Sequence, residues 1–178
     1  MHAITKPIIL IGFKNVGKTV IGSALASQLN LPFIDLDAEI ERMFADANQR
    51  QLTCRQIMEA YDEVYFRELE TKILTPILQT VVAVIALGGG TPIAHNNQKL
   101  IKNHTVIHVE AERNTVFARI MLQGRPAFFT ESEDMLVALN SLWDERSKIY
   151  KKLATFSIIN DGAIVLAVEQ ILQYLCIN

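Results

Sequence analysis

The stretch Gly12-Phe13-Lys14-Asn15-Val16-Gly17-Lys18-Thr19 meets the pattern G-x-x-x-x-G-K-[ST] at every fixed position. An apolar run at 8–11 precedes it. Val20, Ile21, Leu25 and Leu29 follow, marking one face of a helix that ends near Asn30. This strand–loop–helix setting is the one in which the pattern holds phosphates. Gly12 and Gly17 let the chain turn tightly and bring backbone N–H groups against anionic oxygens, and the helix N-terminus adds positive potential. In such a cradle Lys18 reaches the β- and γ-phosphates of ATP, and the Thr19 hydroxyl ligates Mg²⁺. Asn15 is tolerated in the turn, because asparagine adopts left-handed geometry more readily than most residues.

Outward from the loop, further apolar runs at 33–36, 81–87 and 105–109, and a weaker one at 155–159, lack polar alternation. They predict strands of a parallel sheet buried on both faces. Helical spacing marks 55–78, through Ile57, Met58, Tyr61, Tyr65, Leu69 and Ile73, and also 96–102, 114–122, 133–153 and 163–175. Strands alternating with helices predict an α/β fold, a three-layer α/β/α arrangement around a five-stranded parallel sheet. Segments 44–53 and 123–132 show no clear period; irregular stretches beside binding loops serve as lids or as plain surface loops.

With 178 residues, half of them hydrophobic and a fifth charged, the chain suits one compact domain over 1–178. A net charge of −2 gives no basic excess for a nucleic-acid partner. The apolar run near the N-terminus is too short to span a membrane, so a cytoplasmic location is expected. Cys54 and Cys176 are in no metal-ligand spacing and read as ordinary thiols, and the four histidines show no metal spacing either.

Phe33-Ile34-Asp35-Leu36-Asp37 places two carboxylates two residues apart. In an extended strand they share a face, and ligands of parallel sheets bind beyond the carboxyl ends of the strands. One carboxylate then helps to hold Mg²⁺ and the other orients an acceptor hydroxyl and takes its proton. Capping of the next helix is the alternative for Asp37.

Taken in order, these motifs resemble the shikimate kinase family. After the phosphate loop come Asp35-x-Asp37 with Ile40-Glu41, then Phe66-Arg67-Glu68-Leu69-Glu70. Leu87-Gly88-Gly89-Gly90 follows a hydrophobic strand, Arg125-Pro126 lies in the lid region, and Arg146, Tyr150 and Ala154 share a late helix. The resemblance implies a P-loop fold of the nucleoside-monophosphate-kinase type, with an acceptor-binding segment at about 37–70 and a mobile lid at about 119–132. It implies phosphorylation of the 3-hydroxyl of shikimate by Mg·ATP in aromatic amino-acid biosynthesis. Asp37, Lys18 and Arg125 would be catalytic. ATP would be held by Gly12, Lys14, Asn15, Val16, Gly17, Lys18, Thr19, Val20, Arg119 and Arg125, and the metal by Thr19 and Asp35. Asp37, Arg67, Gly88, Gly89, Gly90 and Arg146 would hold shikimate, and a monomer is expected.

Elementary chemistry fits these roles. A guanidinium matches a carboxylate with parallel donors, and a glycine run lets a small ring approach the backbone. Each group also has a plainer reading. Arg67 can pair with Glu63 or Glu70 on its own helix, the glycines can form a simple turn, and Arg119 can be a surface arginine. Trp143, Phe128 and Phe129 suit packing or lid positions. Three departures from the family pattern stand out: a longer segment around 44–53, Asp62 where glycine is usual before Glu63, and a short lid with Ala127-Phe128-Phe129. Two other functions remain open, a related kinase acting on an acid such as gluconate, and an ATP-binding regulatory module without turnover.

Overall fold

A computed structural model describes residues 4–122, 134–160 and 162–175. Five parallel strands form one sheet in the order β2-β3-β1-β4-β5: β1 Ile8–Ile11, β2 Phe33–Asp35, β3 Val84–Ala86, β4 Thr105–Glu110 and β5 Phe156–Ile159. Strand β1 is central and wholly buried, as its unbroken Ile-Ile-Leu-Ile run requires. Its register sets Leu10 beside Ala86 and Ile11 beside His108, so the chain leaves the sheet at Gly12 with neighbours on both sides.

Helix α1 (Lys18–Leu29) packs over β2 and β3 and against α7 (Ile164–Tyr174), while α6 (Met135–Leu153) packs on β4. Asn30 closes α1 in left-handed geometry, its N–H reaching the Ala26 and Ser27 carbonyls. The sheet thus has helices on both faces, the predicted three-layer α/β/α order. Helices α4 (His95–Ile101) and α5 (Arg113–Leu122) fall within one residue of their predicted starts.

Two expectations need correction. Segment 44–53 was expected to lack regular structure, and a helix after the second strand entered only as something for Asp37 to cap; it is α2 (Leu36–Asn48). Leu36, Ile40 and Phe44 recur every four residues and are all buried, a stripe too narrow to register in a polar segment. The second concerns α3 (Cys54–Thr80), whose stretch 55–78 was expected to carry one apolar stripe through Tyr61 and Tyr65. It breaks at Asp62, which has φ 75° and ψ 171°. The buried face therefore shifts: Ile57 precedes the break, whereas Phe66, Ile73, Leu74 and Leu78 follow it, and Tyr61 and Tyr65 are exposed and stacked on each other. That corner of φ/ψ space is nearly closed to residues other than glycine. Asp62 compensates with its carboxylate, which accepts from the Tyr65 N–H at 2.9 Å and caps the second half of α3. A membrane span is found in none of the described helices.

Candidate active site

The phosphate loop turns through three residues of positive φ: Gly12 at 143°, Asn15 at 64° and Gly17 at 98°. Asn15 thus adopts the left-handed geometry that its residue type allows. Lys18 is buried, and its ammonium donates to the Gly12 and Phe13 carbonyls at 2.9 and 2.7 Å. Burial lowers its pKa to about 8, against the opposing pull of the Asp37 and Asp35 carboxylates. A cavity of about 450 Å³ opens beside it, lined by Asn15, Gly17, Lys18, Thr19, Val20 and Arg119. Arg119 reaches from the last turn of α5 to donate to the Asn15 carbonyl at 3.1 Å. Val16 and Lys14 lie outside that lining: the Val16 side chain is in the core and Lys14 is exposed.

The two aspartates meet the loop by a different route from the one expected. They were placed on one face of an extended strand, but β2 ends at Asp35 and α2 begins at Leu36. Asp35 is the N-cap of α2, accepting from the Asp37 N–H at 3.1 Å, and Asp37 sits in the first helical turn. Capping therefore falls to Asp35 and leaves the Asp37 carboxylate available. The other Asp35 oxygen accepts from the Thr19 hydroxyl at 2.7 Å, joining the expected metal ligands into one all-oxygen group. Asp37 faces Gly88 so closely that a Cβ there would lie 2.5 Å from its Oδ1. Burial raises the Asp37 pKa to about 6, helped by the Asp35 charge and opposed by Lys18. A carboxylate at that value is close to neutral pH, where a general base works best.

Gly88, Gly89 and Gly90 follow β3, in register with the loop after β1. The Gly88 carbonyl accepts from the Thr91 N–H at 3.1 Å, so the run does form a turn. Gly90 faces the Arg67 guanidinium, with no room for a side chain between them. Arg67 pairs with both carboxylates foreseen for it, Glu70 at 2.8 Å and Glu63 at 3.1 Å. Glu70 is fully buried and also accepts from the Thr91 hydroxyl. The ion pairs and the turn are thus one structure: Glu70 fixes Arg67 and the end of the glycine run together. Burial pushes the Glu70 carboxyl up, while the Arg67 charge holds it down.

Arg146 on α6 lies over the Phe13 ring at 5.9 Å. Its neighbour Asp144 pairs with Arg113 of α5. Trp143, expected to pack, meets the Phe13 ring at 4.8 Å between centroids. Tyr150 is buried one turn beyond Arg146 and donates from its hydroxyl to the Gly89 carbonyl at 2.5 Å. Burial raises its pKa to about 12, with Arg146 and Arg67 both acting in opposition. Both guanidiniums therefore act on one phenol beside the glycine run.

Some contributors escaped the sequence reading. Glu70 was foreseen only as a helix partner of Arg67, not as a tie to the glycine run, and Thr91 was not considered. Asn160, the first residue past β5, is buried and contacts the phosphate loop from far along the chain. Its only sequence signal is a polar residue directly after an apolar strand. Arg125, Pro126, Phe128, Phe129 and the lid segment 123–132 lie outside the described residues, as does Cys176.

The comparisons with known proteins agree with one another. A family model described as shikimate kinase matches residues 14–176. Shikimate kinase of Macrococcus caseolyticus is 36% identical over 169 residues, covering 94% of this chain and 95% of that protein. Among solved structures, the shikimate kinase from Acinetobacter baumannii in complex with shikimate matches with a TM-score of 0.84 at 29% identity, over 96% of this chain and 93% of that one. The shikimate kinase from Aquifex aeolicus matches with a TM-score of 0.75 at 30% identity, over 95% of each chain. With a family model spanning nearly its whole length and relatives of this similarity, the chain belongs to the shikimate kinase family.

Proposed function

We propose that this chain transfers the γ-phosphoryl group of ATP to the 3-hydroxyl of shikimate, a step of the route to chorismate and the aromatic amino acids. The observation that carries the reading is the placement of Asp37: its charge and that of Lys18 influence each other, and its carboxylate lies against Gly88, whose run ends at Gly90 beside Arg67.

In this reading the backbone of the 12–19 loop and Lys18 hold the phosphates, and Lys18 exchanges its bonds to the Gly12 and Phe13 carbonyls for phosphate oxygens. A fixed array of donors aimed at developing charge lowers the barrier without reorganising at the moment of reaction. Arg67 and Arg146 bind the acceptor carboxylate, since a planar guanidinium offers paired donors. Gly88, Gly89 and Gly90 let the ring lie against backbone. Asp37 accepts the hydroxyl proton as oxygen attacks phosphorus. Thr19 and Asp35 would hold Mg²⁺, whose bound charge neutralises the phosphates. Arg119 borders the nucleotide cavity and would contact the base, and Arg125 would add charge from the lid. The acceptor-binding segment at about 37–70 and the lid at about 119–132 belong to a single domain over 1–178. All the ligand-facing groups named come from one chain, so a monomer suffices, and ATP supply suits a cytoplasmic location.

An ADP-release assay with shikimate and gluconate side by side tests the proposal. Release that depends on shikimate and not on gluconate is expected. Dependence on gluconate alone would assign the related acid kinase, and tight ATP binding with no transfer to either acid would assign a regulatory module.

A further inference from the structure

Asn160 is buried although its side chain is polar, and its amide oxygen and amide nitrogen each have a hydrogen-bond partner. Its backbone N–H donates to the Glu110 carbonyl at 2.7 Å, continuing the β4–β5 ladder by one residue. Its Oδ1 accepts from the Gly162 N–H at 3.1 Å, and its Nδ2 donates to the Val16 carbonyl at 2.8 Å. The last bond joins the end of β5 to the phosphate loop, 144 positions away in the chain. The same amide group stands where a side chain on Gly17 would be.

The geometry points to Asn160 as a positioning residue for the nucleotide, an inference that rests on the phosphate-cradle reading of residues 12–19. In a planar trans peptide, the carbonyl and the following N–H point in opposite directions. Holding the Val16 oxygen toward Asn160 therefore turns the Gly17 N–H away from Asn160, toward the cavity that Gly17 lines. Gly17 has φ 98° and can rotate its peptide more freely than any residue with a side chain. Without an anchor on the Val16 oxygen, that donor samples other directions, and its alignment must be regained when the nucleotide binds. Asn160 removes this cost in advance.

Steady-state kinetics of the full-length Asn160→Ala and Asn160→Ser enzymes test this, with each substrate varied at saturation of the other. Asn160→Ala is expected to raise KM for ATP about tenfold, the value of one well-placed hydrogen bond to a charged group. KM for shikimate stays within about twofold, because no acceptor group touches Asn160. Asn160→Ser keeps a donor and should fall between the wild type and Asn160→Ala. Equal rises in both KM values, or an unchanged ATP KM in a folded Asn160→Ala enzyme, overturn the inference. Should both variants fail to fold, the wild-type protein decides: the Gly17 amide proton moves downfield in NMR spectra on addition of MgADP, while the Asn160 side-chain NH₂ signals stay resolved. A Gly17 signal that does not move overturns the inference. ADP binding needs no acceptor, so failure of shikimate turnover would count against the proposed substrate and leave this test standing.

Discussion

Gly12 and Gly90 each lack a side chain because an obstacle stands in its place, but the obstacles differ in kind. At Gly12 it is the Val109 carbonyl oxygen, part of a sheet strand that cannot yield without breaking its ladder. At Gly90 it is the Arg67 guanidinium, the far end of a flexible side chain. The contrast extends to the two halves of the crevice. The nucleotide half is made of main chain: a loop springing from the central strand, pinned by Asn160 and Lys18. The acceptor half is made of side chains, with Arg67, Glu63, Glu70 and Thr91 holding one another across α3 and the glycine turn. Phosphates need fixed N–H groups, which only backbone supplies in number, whereas a particular acid is recognised by charged forks that can be re-aimed.

The sharpest way to separate the halves is Asp37→Asn. Loss of the general base is expected to lower kcat by roughly 10³-fold, within the range for such groups, while KM or Kd for ATP changes little. ADP release and nucleotide titration measure the two effects. The same variant should be more stable at neutral pH. Folding raises the Asp37 pKa from the ordinary 3.8 to about 6, so the ionised carboxylate weakens the fold increasingly as pH rises through that window. Above it the full penalty applies, and Asn removes it, on the order of 1 kcal/mol for this half-buried group. A melting temperature unchanged at pH 8 would contradict that burial.

Next in size is a matched pair of alanines. Gly12→Ala combines a strained φ with a backbone collision and should lower stability by roughly 3–5 kcal/mol, read by thermal denaturation. Gly90→Ala should leave the melting temperature nearly unchanged and raise the shikimate KM by about tenfold or more, as Arg67 swings away. If Gly90→Ala destabilised as much as Gly12→Ala, the distinction between a main-chain half and a side-chain half would fail.

The halves should also titrate apart. Lys18 must be protonated to meet phosphate, and its free-enzyme pKa is held down to about 8, so kcat/KM for ATP should fall as pH rises past that value. Asp37 must be ionised to accept a proton, so kcat/KM for shikimate should fall as pH drops below about 6. One shared limb for both substrates would argue against separate roles. The smallest expected effect is at Asp62→Gly. Relief of the φ 75°, ψ 171° backbone outweighs loss of the Tyr65 cap, for a gain of about 1 kcal/mol. The melting temperature should then rise by about 2–4 °C with kcat unaltered. A fall would show the carboxylate cap to be the stronger term.

The nucleotide half was the more legible in sequence because its residues are contiguous. A fixed spacing between an apolar strand and a helix suffices to read Gly12, Gly17, Lys18 and Thr19 together. The acceptor half required resemblance, since Arg67, Gly90 and Arg146 are far apart in the chain and each has an ordinary alternative. The plainer reading of Arg67 as an intrahelical partner of Glu63 and Glu70 describes its observed bonds, and it coexists with a place at the glycine turn. Asp35 and Asp37 were rightly brought to the loop but by the wrong geometry: a strand of three residues ends sooner than alternation can be judged, and the N-cap at Asp35 sets the direction of Asp37.

By itself the sequence determined the alternation of strands and helices, the phosphate loop and the order of the family's motifs, because these depend on local periodicity and on residues adjacent in the chain. Tertiary structure alone decided the strand order, the break at Asp62, the shared hold of Glu70 on Arg67 and Thr91, and the tie from Asn160 to Val16. The physical reason is that hydrogen bonds between distant segments depend on which strands become neighbours. That choice is settled by burying all the apolar faces at once, which no single stretch of sequence records.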